Sequence, residues 1–182
     1  MGSEMCIIDS INNVQHHMYC ILRMNVNIAE VNTGGLERLY LETADSEHIE
    51  MYLKAMWRIL EKGEEIKIVS IAKILDIKQP SVVQMLHKLN DLKLIKYQVG
   101  SNSIKLTSKG ELIGQRMMRN TRLLEVLMKH SLKIEIDEEM VCGIEHHMKS
   151  IFTDALCTLL KHPRFCPHGN IIPQGSCCGT NQ

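Results

Sequence analysis

The chain has 182 residues, and its 21 Lys and Arg balance its 21 Asp and Glu. This length suffices for one domain with a good core or for two small ones, and zero net charge gives no global basic field pointing to nucleic acid. Seven cysteines, an odd number, without a secretory signal argue against a disulfide scaffold and favour a reducing cytoplasm. No apolar run approaches the about 18 residues of a transmembrane helix, so no membrane association is expected.

Residues 1–44 show no clear periodicity and contain the turn-like run Asn32-Thr33-Gly34-Gly35. We interpret them as an extension of unclear structure, either poorly ordered or translated from a start codon placed too far upstream. A short helix over 15–23 would be compatible with this interpretation.

A helical pattern begins at Asp45, with Ser46 expected as the N-cap. Apolar residues then recur at helical spacing as far as Gly63: Ile49, Leu53, Met56, Trp57 and Leu60. A second helix is expected over 68–75. A third opens at Pro80, whose missing N–H costs nothing in the first turn, and continues to about Asn90.

Two short segments, 92–99 and 104–107, flank a Gly/Ser/Asn turn, which predicts a β-hairpin. Three helices followed by a hairpin is the order of a winged helix-turn-helix, a DNA-binding module. Between 62 and 109, nine Lys stand against four acidic residues, a local excess that suits phosphate contacts. We therefore expect a DNA-binding domain over 45–110, with a three-helix protein-contact module as the alternative.

The third helix would read the major groove with residues near its N-terminus. Gln84 could hydrogen-bond adenine, and Pro80 could touch a thymine methyl group. Ser81 and Lys78 suit phosphates. The expected DNA contacts are Lys78, Gln79, Pro80, Ser81, Gln84 and Lys88.

The second half of the chain is expected to be all-helical. A long helix should follow Thr107, a break should cover 131–137, and two further helices should carry Cys142 and residues 152–160. The fold class is therefore mostly α: an N-terminal winged helix-turn-helix domain, a helical domain over 111–173 and a Cys-containing tail over 174–182.

Cys142, Glu145 and His146 have i, i+3, i+4 spacing, so they share one helix face. A thiolate, a carboxylate and an imidazole together can bind a divalent transition metal. The plainer interpretation is that Cys142 is a small buried hydrophobe. Near the end of the chain, a second group could bind Zn or sense redox state, although its spacing matches no firm zinc motif: Cys166, His168, Cys177 and Cys178.

Several motifs in this order resemble the diphtheria-toxin-repressor family of metal-dependent transcriptional repressors. They cover about 45–173 and are Glu50-Met51-Tyr52-Leu53, Gln79-Pro80-Ser81-Val82-Val83-Gln84, Leu106-Thr107-Ser108-Lys109-Gly110, Cys142-Gly143-Ile144-Glu145-His146-His147 and Cys166-Pro167-His168-Gly169-Asn170-Ile171-Ile172-Pro173. The resemblance implies that the helical domain dimerises and binds metal. It also implies a homodimer that binds a palindromic operator in double-stranded DNA once Fe(II) or Mn(II) is bound.

The resemblance further implies a primary metal site of Met51, Cys142, Glu145 and His146. Thioether and thiolate ligands favour softer, later metals, so Fe(II) is expected, whereas the run 143–147 is closer to the manganese-sensing branch and keeps Mn(II) open. The ancillary site of the family would fall on Thr121, Glu125 and Glu138, where both of its imidazoles are missing. Glu125 and Glu138 would then form a weaker site or none.

The leading hypothesis is a cytoplasmic, metal-dependent repressor of metal-homeostasis genes. The alternative is a redox-sensing or manganese-responsive DNA-binding regulator that uses Cys142 or the C-terminal Cys group. An enzyme is not expected, because the chain has no His-Glu-x-x-His motif, phosphate loop or nucleophile elbow.

Overall fold

The computed structural model describes residues 33–98, 100 and 103–179, and their side chains from residue 46 onwards. The contact pattern divides the chain after Leu39, and the unit from Tyr40 onwards contains the elements that concern function. The short helix predicted over 15–23 lies outside the described residues. None of the described helices combines the length and apolarity needed to cross a membrane.

The first described helix, α1, spans Thr33–Glu61. Ser46 lies inside this helix, so its prediction as an N-cap and the predicted start at 45 are wrong. No Pro or Gly interrupts the sequence between Gly35 and Gly63, and residues such as Leu36, Leu39 and Ala44 favour helix. A Ser caps a helix only where the preceding backbone leaves the helix, and here it continues.

Two shorter helices follow, α2 over Ile68–Leu75 and α3 over Gln79–Asp91. The left-handed backbone of Asp76 (φ 51°) ends α2, and Pro80 lies in the first turn of α3, as its sequence position predicts. Strands β1 (Ile95–Tyr97) and β2 (Ile104–Leu106) then pair antiparallel. The predicted winged helix-turn-helix arrangement is confirmed.

The winged helix encloses its own apolar core, to which α1, the two following helices and the hairpin contribute. Its buried members are Tyr52, Leu53, Met56, Ile59, Ile66, Ile71, Ala72, Val82, Leu86, Leu89, Leu94, Ile95 and Ile104. Because α1 supplies four of these residues, α1 is an integral part of the winged helix.

The long helix α4 covers Ser108–Val126 and continues into a π-helical segment, Leu127–Leu132. Thr107 caps its start, since the side chain of Thr107 accepts a hydrogen bond from the Gly110 N–H at 3.2 Å. A Cβ at Gly114 would lie 2.7 Å from the Leu53 carbonyl oxygen and 2.8 Å from the Trp57 Cβ. Helices α1 and α4 therefore pack closely at this glycine.

Two further helices complete the helical half: α5 over Glu138–Glu145 and α6 over Ser150–Leu159. An isolated bridge between Phe165 and Ile171 reverses the chain, and a 3₁₀ turn over Ser176–Cys178 ends the described part. A second core is formed by buried Leu123, Leu124, Val126, Met128, Val141, Met148, Leu156, Cys157, Cys166 and Ile172.

Candidate metal centre and nucleic-acid interface

Helix α5 brings Cys142, Glu145 and His146 together, with one ligand atom of each lying within 4.8 Å of the others. The Cys142 Sγ is 4.0 Å from His146 Nε2, and that nitrogen is 3.7 Å from Glu145 Oε1. The three side chains predicted to share a helix face thus converge on one point.

Glu50 of α1 orients the imidazole, a role that the sequence did not reveal. Its Oε2 lies 2.8 Å from His146 Nδ1, and the His146 side chain is 4% exposed. With Nδ1 held by the carboxylate, Nε2 points towards Cys142 and Glu145. A carboxylate that fixes the second ring nitrogen is the usual support of a metal-binding histidine.

The His146 imidazole lies among acidic side chains and a thiol. Burial lowers the pKa of His146, but hydrogen bonds to Cys142 and Glu50 and the charge of Glu145 outweigh it and raise the pKa to about 9. The neighbouring Cys142, Glu50 and Glu145 side chains therefore favour the protonated imidazole, and a metal bound at Nε2 would displace that proton.

Glu145 is fully buried, and both of its carboxylate oxygens are paired. Lys54 of α1 donates to Oε1 and Thr121 of α4 donates to Oε2, while the Asn120 side chain donates to the Glu145 carbonyl oxygen at 3.0 Å. A buried carboxylate needs such a partner. In this arrangement, the Lys54 ammonium supplies compensating charge together with the His146 imidazole, whose Nε2 is 3.7 Å from Oε1.

Met51 is half-buried on α1 and lines the same cavity as Cys142, Lys54 and Thr121, with a volume of about 530 Å³. Cys142 is the residue shared by this cavity, which Met51 also lines, and by the ligand cluster with Glu145 and His146. The candidate donors are thus a thioether, a thiol, a carboxylate and an imidazole. Such a set fits a divalent transition metal of intermediate softness.

The same cavity contains the residues expected at the ancillary site. Glu125 lines it and groups with Cys166 and His168 within 4.8 Å, and His168 Nδ1 is 3.2 Å from Glu125 Oε2. Glu138 also lines the cavity but belongs to none of the three potential ligand clusters among the described residues. An imidazole thus reaches Glu125 from the C-terminal segment, which spacing around Glu125 could not show.

The C-terminal group predicted from sequence is divided between two places. Cys166 and His168 lie beside Glu125, whereas Cys177 and Cys178 lie beside Cys157 and His162. The prediction that the four form one cluster is therefore wrong. The bridge between strand-like residues 165 and 171 turns the first pair towards α4, while the 3₁₀ turn packs the second pair onto α6.

The start of α3 presents the expected DNA contacts to solvent, while Val82, Leu86 and Leu89 fill the core from the opposite face. The exposed set is Lys78, Gln79, Pro80, Ser81 and Gln84, with Lys88 half-buried. The hairpin adds Lys96 and Lys105, which lie directly opposite each other and are both exposed. Both lysines belong to the basic stretch recognised from sequence but were not assigned to the interface, although the alternation Ile-Lys-Tyr and Ile-Lys-Leu carried the signal.

Two family models match the chain. One describes an iron dependent repressor, N-terminal DNA binding domain, over residues 46–100, and the other an iron dependent repressor, metal binding and dimerisation domain, over 107–174. The chain belongs to the diphtheria-toxin-repressor family. The resemblance inferred from sequence is thereby confirmed.

Individual members of the family show the same relationship. The chain is 30% identical over 126 residues to the iron-dependent repressor IdeR of Mycobacterium tuberculosis, covering 68% of this chain and 54% of that protein. It is 29% identical over 118 residues to the HTH-type transcriptional regulator MntR of Bacillus subtilis, covering 63% of this chain and 80% of that protein. The chain therefore spans about half the length of the IdeR relatives it matches.

Solved structures agree with these matches. The manganese regulator SloR superposes with a TM-score of 0.61 and 31% identity, over 69% of this chain and 59% of that one. The metal-dependent transcriptional regulator MtsR superposes with a TM-score of 0.62 and 30% identity, again over 69% of this chain and 59% of that one. This family member thus has relatives named for iron and others named for manganese.

Proposed function

We propose that this family member is a metal-dependent transcriptional repressor of metal-homeostasis genes, a DNA-binding regulator rather than an enzyme. It would act in the cytoplasm as a homodimer on a palindromic operator in double-stranded DNA. One observation carries the proposal: the cluster of Cys142, Glu145 and His146 is joined by Glu50 and Lys54 to the helix that also forms the core of the winged helix.

The primary metal would be held by Met51 of α1 and by Cys142, Glu145 and His146. A bound divalent ion would supply the positive charge that this anionic centre favours. The soft sulfur donors support Fe(II), with Mn(II) as the second candidate. Because the ligands come from both α1 and α5, occupancy would favour one arrangement of the two helices and so change the population of the DNA-competent state.

A second metal position is supported by Glu125, Cys166 and His168, in place of the predicted pair of Glu125 and Glu138. The 3.2 Å contact between His168 and Glu125 supports this choice. Glu138 lies on the wall of the same cavity and could contribute through water. These two ligand groups, the primary and the second, would together form one regulatory centre, to which the C-terminal segment, residues 163–174, would contribute Cys166 and His168.

The DNA interface would combine α3 and the hairpin. Gln84 and Pro80 suit base contacts, whereas Lys78, Ser81, Lys96 and Lys105 suit phosphates. Since like charges facing each other across two strands are unfavourable, the paired lysines are best explained by a polyanionic partner.

The deciding experiment is anaerobic selection from a random duplex pool, first in chelator and then with Fe(II), Mn(II), Co(II) or Zn(II) added singly. We expect a palindrome to be selected only with metal. His146→Ala should abolish the metal response, and the neighbouring exposed His147→Ala serves as the matched control that keeps it. Tight specific binding in chelator that an oxidant abolishes would instead support a redox regulator.

A further inference from the structure

A third cluster of potential ligands lies apart from the regulatory centre. Cys157 is near the end of α6, His162 follows the helix, and Cys177 and Cys178 belong to the C-terminal 3₁₀ turn. One ligand atom from each lies within 4.8 Å of all the others. Cys157 is 1% exposed and packs in the second core, so the cluster is anchored at its inner end.

Four of the six separations among these ligand atoms match the edges of a zinc tetrahedron, and the other two are within 4.8 Å. Zn–S bonds of about 2.3 Å and a Zn–N bond of about 2.0 Å, in tetrahedral geometry, require S···S edges of about 3.8 Å and S···N edges of about 3.5 Å. The Sγ of Cys178 lies 3.6 Å from that of Cys157 and 3.7 Å from that of Cys177. His162 Nδ1 lies 3.6 Å from Cys157 Sγ and 3.8 Å from Cys178 Sγ.

The surrounding charge also fits a metal thiolate centre. Three thiolates, a neutral imidazole and Zn(II) together carry one net negative charge. The largely buried guanidinium of Arg119 lies beside them, with Nη2 at 3.0 Å from Cys177 Sγ and Nη1 at 2.8 Å from Asp154. A charge-assisted hydrogen bond to a ligating sulfur is the expected outer support of such a site.

We propose that Cys157, His162, Cys177 and Cys178 bind one structural Zn(II) ion. Binding would displace the thiol protons to solvent and form three Zn–S bonds and one Zn–N bond. All four positions would be filled by the protein, which is the pattern of structural rather than catalytic zinc. The ion would fasten the 3₁₀ turn to α6 and thereby enclose the segment that carries Cys166 and His168.

A disulfide is the competing use of these cysteines. The sulfur separations of 3.6 and 3.7 Å exceed an S–S bond of about 2.05 Å. A disulfide between any two of the three cysteines would also leave only two ligands for a metal. The two possibilities therefore exclude each other in one molecule.

The test is the metal content of the full chain, purified in reductant and dialysed against a mild chelator. We expect one zinc per chain by elemental mass spectrometry. The double variant Cys177→Ser/Cys178→Ser should lose it, while Cys142→Ser should retain it. Absence of zinc from the wild-type chain, a disulfide seen by mass spectrometry, or zinc retained by the double variant would overturn the proposal.

A second measurement does not depend on the folding of the double variant. Co(II) substituted into the wild-type chain should give an intense thiolate-to-metal charge-transfer band and the visible spectrum of tetrahedral cobalt, in Cys142→Ser as in wild type. Loss of both signals in Cys142→Ser would place the metal at the regulatory centre and reject the site. This outcome is independent of the proposed function, which is tested by DNA selection.

Discussion

Lys54 and Glu145 form an ion pair across 91 residues of sequence, with the carboxylate fully buried and the lysine side chain 22% exposed. A metal bound by Glu145, as proposed, would compete with Lys54 for this carboxylate. Removing the lysine would leave a buried carboxylate whose remaining side-chain hydrogen bond comes from Thr121.

Lys54→Met should destabilise the metal-free protein by about 2–4 kcal/mol, because the buried Glu145 carboxylate loses the nearer of its two cationic neighbours and keeps His146 at 3.7 Å. A divalent metal should restore more stability to this variant than to the wild type, since it supplies the missing charge. Thermal unfolding in chelator and with Mn(II) measures both quantities.

Lys129→Met provides the control for Lys54→Met, because its ion pair with Glu135 is exposed and should contribute little. An equal loss of stability for Lys54→Met with and without metal would show that the ion does not replace the lysine.

The regulatory centre illustrates what local spacing can and cannot show. Cys142, Glu145 and His146 were found from their positions on one helix. Glu50 and Lys54 were missed as their partners, because contacts between residues more than 90 positions apart leave no periodic signal. Their identification required the packing of α1 against α5.

Among the elements, the crossing of α1 and α4 depends on Gly114. A Cβ there would meet backbone and Cβ atoms of α1, which cannot move aside as a flexible side chain could. Gly114→Ala should therefore destabilise the protein by about 1–3 kcal/mol through overpacking.

Gly143 offers the matched substitution for Gly114→Ala. It lies in helix α5, and a Cβ added there would have no neighbouring atom within 4 Å. Gly143→Ala should stabilise the metal-free protein by about 0.5–1 kcal/mol. Urea unfolding in chelator compares the two variants, and similar effects of the two would contradict a close helix crossing at Gly114.

Periodicity predicted the elements of the winged helix well. Helix α2 has the expected bounds. Helix α3 begins at Gln79, next to Pro80, and the two strands lie on either side of the turn that contains Gly100, as predicted. The predicted start of α1 was wrong because a capping residue is a local signal, whereas the continuation of a helix depends on the absence of Pro and Gly upstream.

For the molecule as a whole, Arg122 connects distant segments. This buried residue donates to the Glu61 carboxylate near the end of α1 and to the Ile171 carbonyl oxygen in the C-terminal segment. Its guanidinium carbon also lies 5.7 Å from the centroid of the Trp57 ring. One side chain thus joins the winged helix, α4 and the C-terminal segment.

Arg122→Met should lower the free energy of unfolding by about 2–3 kcal/mol, because the Glu61 carboxylate loses its partner. The loss stays moderate because the Glu61 side chain is 26% exposed and water can solvate it. We also expect faster proteolysis of the segment after Pro163, which loses its tie to α4. Limited proteolysis with mass spectrometry measures this directly.

The exposed Arg164→Met, in the same segment, is the control for Arg122→Met. Equal cleavage rates in the two variants would refute the connecting role of Arg122.

The order of the two halves could be predicted from sequence, but the path of the C-terminal segment could not. Cys166 and Cys177 are similar residues in one irregular stretch, and only the chain reversal at Phe165 and Ile171 sends them to different clusters. Such reversals depend on packing against α4 and α6, for which the sequence has no local pattern.

Because two lysines face each other in the β1–β2 hairpin, ionic strength should act in opposite directions on the stability of the hairpin and on its attraction to phosphates. Lys96 and Lys105 repel each other in the free protein, and dissolved salt screens that repulsion. The same salt weakens attraction to phosphates by reducing the gain from counterion release. High salt should therefore stabilise the free hairpin and weaken the proposed binding to DNA, and low salt should have the opposite effects.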